Sequence, residues 1–149
     1  MAPLLHYDIL LEVLRHCDSS TLCALMSVSR SLHEEAARLF LSDPVVLGEC
    51  TDLESVIRFI SVDNGRRLPY VRDLDIQLLW QSEELHLCIG GMINLQRLNL
   101  NDAENLVENH PKLADAFAAL EGIEQLVALN AGQLTCAMLR NMRSRLRSV

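Results

Sequence analysis

Two stretches of this sequence, Val71-x-x-Leu74-x-Ile76 and Leu95-x-x-Leu98-x-Leu100, share one apolar skeleton, and their first positions lie 24 residues apart, 71 to 95. Alternate apolar positions put their side chains on one face of a short extended segment. A strand of that length buries nothing by itself, so its apolar face must be covered by a neighbouring copy and by the chain that links the two. The pattern therefore predicts strand-plus-helix units stacked in sequence. A degraded third copy is expected at Leu126-x-x-Leu129-x-Ala131, 31 residues beyond the second, 95 to 126, with an insertion around Glu108-Asn109-His110-Pro111 taking up the excess. Leu146 falls 20 residues past Leu126 and restarts the skeleton, so the segment is expected to be incomplete at its C-terminal end.

The linking chain carries the helix signals that this pattern requires. Val45-Val46-Leu47 is a short extended run, and Thr51 with Glu54 has capping-box spacing ahead of Leu53, Val56, Ile57 and Ile60. Asn64-Gly65 ends that helix, because glycine takes the left-handed conformation without a steric cost. Pro111 and Gly122 bracket the stripe Leu113, Ala116, Phe117 and Leu120, and Thr135 is expected to cap a last helix carrying Met138, Leu139 and Met142. The 24-residue spacing lies within the roughly 20 to 29 residues of leucine-rich repeats, so residues 44–149 resemble an irregular array of that kind.

Upstream of Pro44 the periodicity is helical throughout. Ile9, Leu10, Val13, Leu14 and Cys17 share one face of a first helix. Asp18-Ser19-Ser20-Thr21 offers N-cap oxygens before Leu22, Leu25 and Met26, and Ser31 with Glu34 has capping-box spacing before Ala36, Leu39 and Phe40. Three helices this short are unstable alone and must pack their stripes together. Their apolar residues outnumber what so small a bundle hides, so the surplus either packs on the following repeats or forms a partner surface, since a contiguous exposed apolar patch marks a contact site.

Composition narrows the function classes. Half of the 149 residues are apolar but only 4% are aromatic, which suits a core of Leu, Val, Ile and Ala better than a deep cofactor pocket. The formal charge of -7 argues against nucleic acid as the main partner, and Arg140, Arg143, Arg145 and Arg147 read as a solvated helix end. Cys17, Cys23, Cys50, Cys88 and Cys136 form no C-x-x-C pair and read as small buried apolar residues. His6, His16, His33, His86 and His110 are scattered without metal-ligand spacing, and Gly90-Gly91 reads as a helix-to-strand turn. No cofactor, metal, catalytic residue or membrane contact is expected. With no signal-like or membrane-length apolar run, the expected compartment is cytoplasmic and/or nuclear.

The residues Leu5-His6-Tyr7-Asp8-Ile9-Leu10, Val13-Leu14, Asp18, Leu22, Leu25, Val28-Ser29-Arg30 and Leu39-Phe40 fall in the order and spacing of the F-box family, over roughly residues 4 to 41. The sequence departs from the family pattern at His6, where proline is expected, and at Phe40, where tryptophan is common. The expected architecture is α+β to α/β solenoid: an F-box-like three-helix bundle over 1–43, then short irregular leucine-rich repeats over 44–149, an arrangement resembling fungal-type members. The resemblance implies docking on the Skp-type adaptor of a cullin-based ubiquitin ligase, through Leu5, Ile9, Leu10, Leu25, Val28, Ser29 and Leu32. It also implies recruitment of a protein substrate, whose identity is open, by the repeats. Asp75, Gln77, Gln96, Asn99 and Asn101 are the polar candidates on the inner face. The alternative reading is a leucine-rich interaction scaffold with no ligase role, whose helical N-terminus caps the first repeat.

Overall fold

The computed structural model describes residues 6–48, 51–77 and 84–147, and the chain divides into two compact units, Met1–Asp43 and Pro44–Val149. The first unit is helical, with α1 at Tyr7–Leu14, α2 at Ser19–Met26 and α3 at Arg30–Phe40. Its core is Leu14, Leu22, Leu32 and Ala36, with Leu10, Leu11, Leu25, Met26, Leu39 and Phe40 packed half-buried against it. An Asp18 carboxylate oxygen accepts the Thr21 N–H at 2.7 Å and starts α2, and this bond holds the Asp18 carboxyl below the usual carboxylate range. The third helix starts ahead of the Ser31–Glu34 box. Ser29 has the extended backbone of an N-cap and its hydroxyl accepts the Leu32 N–H at 3.2 Å, so Ser31 is already inside the helix.

The second unit is built on four parallel strands, β1 at Val45–Leu47, β2 at Asp73–Ile76, β3 at Arg97–Leu100 and β4 at Gln125–Ala128, in spatial order β1-β2-β3-β4. Between them run α4 at Leu53–Gly65, α5 at Leu85–Ile89, α6 at Ala103–Asn109 and α7 at Pro111–Ala119, and α8 at Gln133–Asn141 follows β4. Parallel neighbours cannot be joined by a tight turn, so each link must cross back over one face, which the helices then cover. The register sets Val45, Leu74, Leu98 and Leu126 side by side, and Leu47, Ile76, Leu100 and Ala128 two residues on. Ile60 of α4, Ile89 of α5 and Phe117 of α7 are fully buried in the same unit.

Several further local signals in this unit lie one to three residues from the positions that spacing alone indicates. Asp52, not Thr51, caps α4: its carboxylate accepts the Ser55 hydroxyl at 2.6 Å and the Ser55 N–H at 3.2 Å, and its carboxyl is held low by those bonds. Thr51 instead donates to the Val46 carbonyl and accepts the Gly48 N–H, closing the turn after β1. The helical backbone of α4 breaks at Val62, and Asp63, Asn64 and Gly65 all take positive φ. The third apolar copy begins at Ile123, not Leu126: Leu126 lies opposite Leu98, Ile123 is buried, and Leu129 is half exposed. The spacing to the second copy is then 28 residues, 95 to 123, because the link holds two helices, α6 and α7.

Glu104 of α6 ties the last helix to the unit. Its carboxylate accepts the backbone N–H groups of Gly132, Leu134 and Thr135 at 2.8, 2.9 and 3.0 Å and the Thr135 hydroxyl at 2.8 Å. Thr135, expected as the cap of α8, is a buried residue of its first turn, and the capping group comes from another helix. The Thr135 and Leu134 N–H bonds lead in pulling the Glu104 carboxyl from 4.5 to about 2. A Cβ on Gly132 would stand 2.5 Å from that carboxylate, which is why glycine occupies the position.

Two outcomes follow from this packing. Because the folded-state value of Glu104 is depressed, its stabilisation is complete above its ordinary value of 4.5 and is lost as pH falls toward about 2. Glu104→Gln should lower the urea midpoint at neutral pH, with the deficit shrinking toward about pH 2.5 in paired urea titrations. Phe117→Ala, at a side chain with no solvent exposure, should cost about 3–5 kcal/mol in the same assay.

Candidate partner-docking surfaces

In the first unit the helical stripe divides between core and surface. Leu10, Leu11 and Leu14 of α1 turn to the core, whereas Ile9 and Val13, one helical turn apart, are each 50% exposed. Tyr7 is also exposed, and Val28, in the turn between α2 and α3, is 67% exposed. Full burial of a side chain of this size stabilises by about 1.5–3 kcal/mol, and a contact covering these half-exposed residues would gain part of that. The turn bearing Val28 is held in shape: the His33 ring donates from Nδ1 to the Met26 carbonyl at 2.8 Å, and the Ser27 hydroxyl donates to the Ala24 carbonyl at 2.6 Å.

The adaptor-facing candidates separate accordingly. Ile9 and Val28 are exposed, Leu10 and Leu25 are half-buried on the core, Ser29 is the N-cap of α3, and Leu32 is 8% exposed and serves the core. Leu5 lies outside the described residues. Sequence reasoning passed over Tyr7 and Val13; Val13 stands four residues from Ile9, and that spacing was the available signal. His6, at the proline position, has φ -62° and ψ 138°, the φ a proline ring imposes.

In the second unit the open face of the sheet is polar at its centre. Val46, Asp75, Asn99 and Val127 form one cross-strand row, and Asp73, Arg97 and Gln125 line up two residues earlier. Asp73 is buried and its carboxylate meets the Arg97 guanidinium at 2.9 Å. Asp75 Oδ1 is shielded from solvent without a hydrogen-bond partner among the described residues. The structure thus brings Asp75 and Asn99 together, with Gln77 and Asn101 just past the same two strand ends. Gln96 precedes β3, and its carbonyl accepts the Glu124 and Gln125 N–H groups.

Other chemistry is sparse. A cavity of about 30 Å³ lined by Gln77, Asp102, Asn105, Asn109 and His110 has room for about one water molecule. Among the described residues, no three His, Cys, Asp or Glu side chains gather as a metal site, and no helix is long and apolar enough to cross a membrane. Cys88 is buried and Cys17 half-buried, but Cys23 and Cys136 are exposed, so the cysteines are not uniformly core residues. Cys50 lies outside the described residues.

Residues 3–37 match the F-box domain family, whose members generally bind Skp-type adaptors. Neither the curated proteins nor the solved structures contain a match to the chain.

Two stability outcomes test this division of surface from core. Ile9→Asp and Val28→Asp should leave the circular dichroism spectrum intact and shift stability by about 0.5 kcal/mol or less, whereas Leu14→Asp should unfold the first unit. His6→Pro should raise the unfolding free energy by about 0.4–1 kcal/mol, since the ring restricts the unfolded chain at a φ the fold already uses.

Proposed function

We propose that the chain is a substrate-recognition adaptor of a Skp-cullin-F-box type ubiquitin ligase. The observation that carries this reading is the F-box match over residues 3–37 on a three-helix unit whose Ile9, Val13 and Val28 stay exposed. In it, those three side chains, with the accessible parts of Leu10 and Leu25, dock the Skp-type adaptor, and the cullin is reached through that adaptor. Ser29 holds the start of α3 so that Val28 is presented. The chain contributes proximity, not catalysis, and works without a cofactor in the cytoplasm or nucleus.

Residues 44–149 form the recruiting half in this reading. Parallel strands in sequence order, each followed by covering helices, with the Leu74-Leu98-Leu126 row repeated across them, support a short irregular leucine-rich array. Its open face offers a protein substrate the polar side chains of Asp75, Gln77, Asn99 and Asn101, which a partner's hydrogen-bonding groups can satisfy. Asp75 is the sharpest of these, since its shielded oxygen gains most from an incoming donor.

A pull-down with purified Skp-type adaptor tests the docking half. The full chain should be captured, and Ile9→Asp with Val28→Asp should reduce capture at least about tenfold while circular dichroism stays unchanged. Absence of capture by the natural, folded chain would reject the ligase role and leave the interaction-scaffold reading.

A further inference from the structure

Helices α7 and α8 are tied together at their C-terminal ends, where the Arg143 N–H, just past α8, donates to the Ala118 carbonyl at 2.9 Å. Along the rest of their length they leave an open groove of about 290 Å³ between them. One wall is Pro111, Ala114, Asp115 and Ala118 of α7, and the other is Leu134, Ala137, Met138 and Asn141 of α8. Val107 and Glu108, near the end of α6, complete the lining. Each wall repeats at three or four residues and spans about 10 Å, two helical turns. The gap stays open because Ala114, Ala118 and Ala137 carry only methyl groups where a closed helix pair needs larger side chains to interdigitate.

The lining divides into an apolar floor and an acidic rim. Val107, Ala114 and Met138 are buried at the floor, whereas Ala137 is exposed and Leu134 is 44% exposed. Glu108 and Asp115 are exposed, and neither carboxylate has an ion-pair or hydrogen-bond partner among the described residues. The basic residues of the same two helices, Lys112 and Arg140, do not line the groove, so its charged lining is wholly negative. Arg140 is also the one member of the C-terminal basic group inside α8, and that group is therefore not the helix end that the sequence suggested.

A third helix laid along the groove presents apolar side chains at the same three- and four-residue repeat as the walls, and two of its turns match them in length. An extended segment instead turns every second side chain away from the floor. The rim selects among helices by charge: acidic flanks would face Glu108 and Asp115 as like charges, whereas Lys or Arg flanks pair with them. A second copy of this chain is opposed on the same ground, because its formal charge is -7. We infer that the α7–α8 groove docks an amphipathic helix of a partner protein, with its apolar stripe over Ala114, Ala137 and Met138 and its Lys or Arg side chains paired with Glu108 and Asp115. No residue of the first unit or of the open sheet face takes part, so the inference goes beyond the ligase reading and is independent of it.

Fluorescence anisotropy of the full chain tests it with a labelled helical peptide carrying leucines at alternating three- and four-residue spacing and lysine flanks. The controls are the same leucine stripe with glutamate flanks, and a lysine peptide of identical composition with its leucines scrambled. The lysine-flanked stripe should bind, and both controls should bind at least about tenfold more weakly. Ala137→Trp, at an exposed position, fills the groove and should weaken binding at least about tenfold. Glu108→Gln with Asp115→Asn should weaken it about threefold or more, and the same change of net charge on α4, Glu54→Gln with Asp63→Asn, by less than about twofold. Circular dichroism, and capture by the Skp-type adaptor, should be the same in every variant as in the natural chain, which separates this site from the docking half. No binding of the lysine-flanked stripe, equal affinity for the scrambled peptide, retained binding in Ala137→Trp or an equal loss in the α4 variant would overturn the proposal. A dimer of the natural chain in analytical ultracentrifugation that Ala137→Trp dissociates would also overturn it, by assigning the groove to a second copy.

Discussion

The row formed by Leu74, Leu98 and Leu126 is the constraint from which residues 44–149 take their order. A parallel pairing shifted by one residue would turn this row and its partner row, Ile76, Leu100 and Ala128, out to the open face. It would also bring Asp75 and Asn99 under the helices, where neither finds a hydrogen bond. Register, helix placement and the polar centre of the open face are thus three consequences of one alignment. The short helices α5 and α7 persist because Ile89 and Phe117 are buried in this core, and α8, after the last strand, because Glu104 supplies it with an N-terminal acceptor.

The first unit is governed by the opposite circumstance, a shortage of interior. Among the described residues its buried apolar set is Leu14, Leu22, Leu32, Ala36, Ala37 and Leu41, and three helices of 8, 8 and 11 residues cannot cover every apolar side chain they carry. Tyr7, Ile9, Val13 and Val28 are the large apolar side chains left exposed among its described residues. Capping by Asp18 and Ser29 lets the helices form around so small a core and fixes the turn on which Val28 stands. The proposed docking surface and the small core are two descriptions of the same geometry.

Much of this was legible in the residues. The 24-residue spacing located β2 and β3, the Pro111 and Gly122 pair bracketed α7, and the helical stripes marked all three N-terminal helices. Errors arose where one residue type serves two roles. Thr51 and Ser31 satisfy the capping pattern, but Asp52 and Ser29 reach the amides first. Leu126 and Leu129 fit the skeleton by spacing, yet only pairing with β3 shows that Ile123 opens it. The Glu104 cap joins residues 28 to 31 positions apart, which no local pattern encodes. Among the site candidates, spacing alone could not separate Ile9 from Leu32, since both lie on apolar stripes and only packing decides which faces water.

Amide hydrogen–deuterium exchange on the full chain, with and without purified Skp-type adaptor, tests the central claim most directly. The account predicts slowed exchange in α1 and around the α2–α3 turn, with residues 44–149 unchanged. Protection confined to residues 44–149, or none anywhere at saturating adaptor, would contradict it.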